Sequence, residues 1–138
     1  MSENKTIREI KVYISAPVTG RPLEERKGFF ATAAKNLRDM GFVPVNPMTN
    51  GVPPTAAHAT HMKADLKLLL ASAYYVQALD SVNSAGCYTE ELMAEACDIK
   101  YIGAIHSDGS ISLTSAGRKV QRNLMYRIQQ NNKPEKEP

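Results

Sequence analysis

In the stretch Ser84-Ala85-Gly86-Cys87-Tyr88-Thr89-Glu90-Glu91-Leu92-Met93-Ala94, one acid stands apart from its charged neighbours. Counting three, four and seven residues on from Glu90 reaches Met93, Ala94 and Cys97. Glu91, Glu95 and Asp98 form their own stripe about 100° round the helix. An ionised carboxylate among apolar side chains is costly to bury unless something pairs with it, so such an acid has either a partner or a chemical task. The competing explanation is a first-turn glutamate favoured by the helix dipole and free backbone N–H groups, and both remain open on the spacing alone. Asp65 repeats the pattern. Met62, Leu66, Leu69, Leu70 and Ala73 make the expected core face of its helix, while His58, His61, Asp65 and Ser72 form a polar stripe beside it. Two carboxylates on neighbouring helices suit acid/base or covalent glycosyl chemistry, in which one attacks and the other handles a proton. A solvated helix side, or a salt bridge to Lys63 or Lys67, is the plainer account of Asp65.

Other groups carry weaker signals. His58 and His61 lie three residues apart near Asp65, the spacing of a metal site, but no further ligand cluster is visible, and neither metal nor cofactor is expected. Cys87 near a helix start could be an activated thiol; with no histidine nearby and an acid three residues away, packing is the better account. The loop from Ser15 to Arg21 has hydroxyls and a glycine next to a helix start, the makings of an anion site without the full phosphate-loop pattern.

The elements that must position these groups alternate. Ile10–Ser15 is β-branched and aromatic, and the prolines and glycine of Ala16–Pro22 end it. Phe29, Phe30, Ala33, Ala34, Leu37 and Met40 then follow helical spacing over about Leu23–Met40, with Gly41 placed as a left-handed cap. A strand at Phe42–Val45, an irregular excursion over Asn46–Thr55 and a helix over Ala57–Ala71 come next. Tyr74–Leu79 reads as a buried strand, Asp80–Gly86 as a loop, Tyr88–Cys97 as a helix and Lys100–Ile105 as a fourth strand. A turn at His106–Ser110 leads to a short strand, Ile111–Leu113. Thr114 or Ser115 could cap a last helix with Val120, Leu124 and Ile128 on one face. Strands alternating with helices predict a mostly parallel five-stranded sheet with helices on both faces, an α/β three-layer sandwich. Ligands of such sheets bind beyond the carboxyl ends of the strands, which selects the loops Ser15–Pro22, Asn46 onward and Asp80–Gly86.

The 138 residues fit one domain over 1–130, and 43% hydrophobic residues can furnish a core; a polar tail, 131–138, is expected to be disordered. A net charge of +3 is a mild bias, without the aromatic interleaving of a nucleic-acid surface. Met1–Lys5 is polar and no apolar run approaches the roughly 18 residues of a membrane span, so a cytoplasmic protein without membrane or nucleic-acid partners is expected. Cys87 and Cys97 lie about 15 Å apart along one predicted helix, too far to pair.

Taken in order, Lys11-Val12-Tyr13-Ile14-Ser15-Ala16-Pro17-Val18-Thr19-Gly20, Val45-Asn46-Pro47, Asp65-Leu66, and Ser84-Ala85-Gly86 with Glu90 and Ala94 resemble the nucleoside 2-deoxyribosyltransferase superfamily. The likeness covers about residues 10 to 105 and extends to its small phage and bacterial members and to nucleoside 5′-monophosphate N-glycosidases. It implies a flavodoxin-like (Rossmann-like) sheet and cleavage or transfer of the N-glycosidic bond of a (deoxy)nucleoside or its monophosphate. By the same resemblance Glu90 is the nucleophile that forms a glycosyl-enzyme intermediate. Asp65 engages the base or its departing proton, and Tyr13 orients the nucleophile. Ser84 stands where the monophosphate hydrolases have serine and the nucleoside transferases aspartate, which leans towards a phosphate-bearing substrate. Thr19, Gly20 and Arg21 would hold that phosphate, with Ser15, Pro17, Asn46 and Gly86 completing the substrate site. Ala73, where many relatives have aspartate, and the loop Leu79–Asn83 depart from the pattern. The resemblance also implies a homo-oligomer, dimer or higher; the last helix could serve that assembly or pack on its own sheet. A non-catalytic module that holds a nucleotide in the same crevice is the alternative expectation.

Overall fold

Parallel strands cannot be joined by tight turns, so each step between parallel strands in this chain needs a crossover, and the helical repeats supply it. A computed structural model describes residues 9–132. Its elements in order are β1 (Lys11–Ser15), α1 (Leu23–Asp39), β2 (Val43–Val45), α2 (His58–Leu70), β3 (Tyr74–Ala78), α3 (Ala85–Ala96), β4 (Lys100–Ile105), β5 (Ile111–Leu113) and α4 (Ser115–Asn132), with a 3-10 turn at Pro47–Thr49. The sheet order is β2-β1-β3-β4-β5, the flavodoxin-like winding. The first three pairings are parallel and β5 is antiparallel to β4. The fold is therefore the expected α/β sandwich, mostly parallel with one antiparallel edge.

Strand alternation sorts side chains into two layers. Val12, Ile14, Val76, Ala78, Ile102 and Ile105 face α1 and α4, meeting Phe29, Phe30, Ala33, Leu37 and Leu124. Tyr13 and Tyr75 face the other way and pack with Leu69 of α2 and Ala94 of α3. Val120 and Ile128 also lie against the first cluster, so the apolar stripe of α4 covers this chain's own sheet. Thr114 caps α4, its Oγ1 accepting from Gly117 N at 2.9 Å, and Gly41 closes α1 at φ +99°.

Several boundaries differ from the sequence expectation. Ser84 accepts from Cys87 N at 3.2 Å and caps α3, which therefore starts three residues before Tyr88 and carries Glu90 in its second turn, not its first. The helix also stops early: Asp98 adopts φ 59° and Ile99 N reaches back to Ala94 O, so Cys97 is exposed instead of lying on the buried face with Glu90. Leu70, the last residue of α2, and Ala73 beyond it are exposed while Leu69 is fully buried, a narrower core face than the spacing indicates. Helix α4 runs on to Asn132, two residues into the expected tail; the rest of that tail lies outside the described residues.

Helix α4 meets the sheet at Gly117, where an added Cβ would collide with the Ile102 backbone carbonyl oxygen. That oxygen already accepts from Thr114 N at 2.9 Å and cannot retreat without loosening the helix start. Gly117→Ala is expected to lower unfolding free energy by about 1–3 kcal/mol in urea titration, despite alanine's better helix propensity. An unchanged or higher midpoint would show that α4 does not dock this closely.

Candidate functional site

Tyr13 and Ser15 are two apart on β1, so both point to the α2/α3 layer, and their parallel neighbours on β3 are Tyr75 and Gln77. The sheet thus presents a row of polar tips towards its carboxyl edge, between the two strands where the winding reverses direction. Into that row α3 lowers Glu90. The side chain is 7% exposed. Tyr13 OH donates to its Oε2 at 2.5 Å and Ser15 Oγ donates to its Oε1 at 2.7 Å. Gln77 Nε2 donates in turn to Ser15 Oγ at 3.3 Å and to Cys87 O at 3.4 Å, which directs the serine proton towards the carboxylate.

No lysine or arginine pairs with Glu90 among the described residues. Burial dominates its titration and lifts the carboxyl from 4.5 to about 7, the hydroxyl bonds of Tyr13 and Ser15 pull it back, and the charge of Asp65 adds to the rise. Burial and the facing glutamate push the Tyr13 phenol well above its usual value, so it stays protonated and donates.

Asp65 flanks this group from α2. Its Oδ1 accepts from Asn50 Nδ2 at 2.8 Å, so the interaction is with the loop after β2 and not with Lys63 or Lys67. Asn50 Nδ2 also meets His61 Nδ1 at 3.3 Å, and His61 Nε2 meets Pro53 O at 3.0 Å. Because a carbonyl only accepts, Nε2 carries the ring proton and Nδ1 accepts from the amide. Burial raises the Asp65 carboxyl, and the Asn50 bond opposes the rise. His58 is exposed, and His61 is engaged as described.

The remaining predicted residues frame the crevice with varied freedom. Pro17 is buried, and its carbonyl accepts from Arg26 Nη1 at 3.0 Å; Arg26 itself is 4% exposed, lies 4.5 Å above the Phe29 ring and pairs with Glu25. Thr19 and Gly20, the latter at φ +80°, form an exposed turn. Arg21 bonds Asp80 at 2.9 Å, tying the loop after β1 to the loop after β3. Asn46 caps the 3-10 turn through Met48 N, so its oxygen is occupied locally. Ser84 caps α3, and Gly86 lies where α3 passes Met62 of α2. The structure therefore groups Glu90, Tyr13 and Ser15 directly and sets Asp65 alongside. It leaves Thr19, Gly20 and Arg21 at the rim. Gln77 and Asn50 belong to the site and were not singled out from the sequence. Hollows of about 520 Å³ along α4 and about 310 Å³ beside Tyr75 are lined by neither carboxylate.

Residues 10–102 match a family described as a domain of unknown function (DUF4406). The chain belongs to this family. The DUF4406 region runs from the start of β1 into β4, so it takes in Tyr13, Ser15, Asp65, Gln77 and Glu90 and stops short of β5 and α4. No curated protein and no solved structure matches the chain.

A carboxyl whose folded value exceeds its unfolded one favours folding fully below pH 4.5, and that contribution is lost as pH rises through about 7. Glu90→Gln removes this dependence while keeping shape. The variant is expected to gain on the wild type by up to about 3 kcal/mol between pH 4.5 and pH 8 in urea titrations at both pH values. A pH-independent difference would mean that the carboxyl titrates normally.

Proposed function

We propose that this chain cleaves or transfers the N-glycosidic bond of a (deoxy)nucleoside or its 5′-monophosphate, as a member of the nucleoside 2-deoxyribosyltransferase superfamily. The observation that carries the reading is the buried Glu90 carboxylate, unpaired by any cation among the described residues and oriented oxygen by oxygen by Tyr13 and Ser15. A nucleophile needs that arrangement: ionisable near neutral pH, desolvated, and fixed in direction.

In the proposed reaction one Glu90 oxygen attacks the anomeric carbon, the carbon–nitrogen bond breaks, and its electron pair leaves with the base. Asp65, whose second oxygen makes no hydrogen bond among the described residues, takes a proton from solvent and passes it to the departing base. Water or a second base, giving up a proton to the Asp65 carboxylate, then attacks the same carbon and frees Glu90 from the ester. Tyr13 and Ser15 hold the carboxylate in line, and Gln77 holds Ser15. Thr19, Gly20 and Arg21 at the rim, with Ser84, are the proposed contacts for a 5′-phosphate; Arg21 would exchange its Asp80 partner for the substrate anion. The reading calls for no metal or cofactor and places the protein in the cytoplasm, acting on a small molecule.

A second reading is a module that binds a nucleotide in the crevice without breaking it. It is favoured by the fact that both Glu90 oxygens already have hydroxyl partners.

Incubation with a panel of nucleosides, deoxynucleosides and their 5′-monophosphates decides between them. Base release or exchange is expected, absent in Glu90→Ala and reduced roughly 10²-fold or more in Asp65→Asn. Intact-mass measurement during turnover should find a sugar adduct on the wild type alone. The rate is expected to climb with pH through about 7, as Glu90 ionises. Tight nucleotide binding by calorimetry with no base release would replace the first reading with the second.

A further inference from the structure

Glu90 occupies one flank of α3. The flank turned away from it, together with the starts of β3 and β4, encloses the hollow of about 310 Å³, lined by Tyr75, Glu91, Glu95, Asp98, Lys100 and Tyr101. Lys100 Nζ lies 3.2 Å from Asp98 Oδ1, which neutralises that acid. Glu91 and Glu95 have no basic partner among the described residues. They stand one helical turn apart, about 6 Å along the axis. The wall beneath them is aromatic, since Tyr75 and Tyr101 are register neighbours on β3 and β4 with ring centroids 5.6 Å apart.

Tyr75 gives the hollow a polar floor. It is only 7% exposed and makes no side-chain hydrogen bond among the described residues. Among the described residues no fully buried side-chain oxygen lacks a partner, so the Tyr75 hydroxyl keeps solvent access, and Tyr75 lines this hollow. Burial, with smaller contributions from Glu91, Tyr101 and Glu95, pushes that phenol up to about 12, which keeps it neutral.

We propose that this hollow is a binding site for an aliphatic diamine or polyamine, with ammonium groups on Glu91 and Glu95 and the methylene chain across the exposed ring of Tyr101. Carboxylates recognise ammonium donors by charge-assisted hydrogen bonds, and tyrosine faces attract both the cation and the alkyl chain beside it. The acids are spread along the helix, and among the described residues no three acidic, cysteine or histidine side chains converge to hold a metal ion. Separated charges over an apolar wall suit a ligand built the same way. The phenolic oxygen of Tyr75 accepts from one ammonium group.

The test is calorimetric titration of the full chain with 1,4-diaminobutane at fixed ionic strength, alongside 1-aminobutane and magnesium chloride. Saturable binding of the diamine is expected, about ten-fold or more tighter than the monoamine and not displaced by magnesium. Glu91→Gln with Glu95→Gln changes two exposed side chains and should weaken it about ten-fold or more; Tyr75→Phe should weaken it about two- to five-fold. Equal affinity in the double glutamine variant, or an equal response to monoamine or magnesium, would overturn the assignment. Base release plays no part in this titration, so its outcome is independent of the catalytic proposal.

Discussion

Placing a carboxylate on the buried side of a sheet creates a demand that neighbouring atoms must meet, and the surroundings of Glu90 are organised by it. Two effects oppose each other. Loss of water disfavours the charge, while hydroxyl donors from Tyr13 and Ser15 favour it; the net rise to about 7 shows that desolvation outweighs both bonds. Replacing the hydroxyls by an arginine would have satisfied the charge more fully and held the acid permanently ionised. Hydroxyl donors leave it oriented and still able to change protonation near neutral pH, the combination a nucleophile in the proposed glycosyl transfer requires.

Topology brings the donors and the acid together. The β2-β1-β3 order opens a crevice above the carboxyl ends of β1 and β3, and period-two alternation puts Tyr13, Ser15, Tyr75 and Gln77 on the side covered by α2 and α3. The loops then fasten the rim. Arg26 holds Pro17 from below, Arg21 joins Asp80 across the reversal point, and Asn50 ties the loop after β2 to Asp65 and His61. With the two acids on adjacent helices of one layer, Asp65 is near enough for its charge to raise Glu90, the coupling that a nucleophile and proton donor sharing one substrate would have.

The sheet and its order of elements were legible because strand and helix periods alternate cleanly from Ile10 to Leu113. Glu90 and Asp65 were legible as acids out of place on a helical face. What escaped depended on contacts distant in sequence. Gln77 sits in an apolar run that reads as uniformly buried, and only its register opposite Ser15 gives it a role. Asn50 lies in a loop of prolines, glycine and asparagines whose hydrogen bonds no local pattern encodes. Arg26 reads as one more charge in the run Glu24-Glu25-Arg26-Lys27, yet it is buried against Phe29 and a backbone carbonyl. Ser84-Ala85-Gly86 looks like loop because glycine disfavours helix, but the Ser84 cap and the passage past Met62 extend α3 through it and move Glu90 into the second turn.

The central claim concerns one titration. Glutamate-selective ¹³C labelling of the side-chain carboxyls, with the Glu90 signal assigned by its loss in Glu90→Gln, follows that group directly by NMR from pH 3 to pH 9. A midpoint of about 7 that moves higher when Ser15→Ala removes one hydroxyl is the result this account requires. A midpoint near 4.5, unmoved by Ser15→Ala, would contradict it.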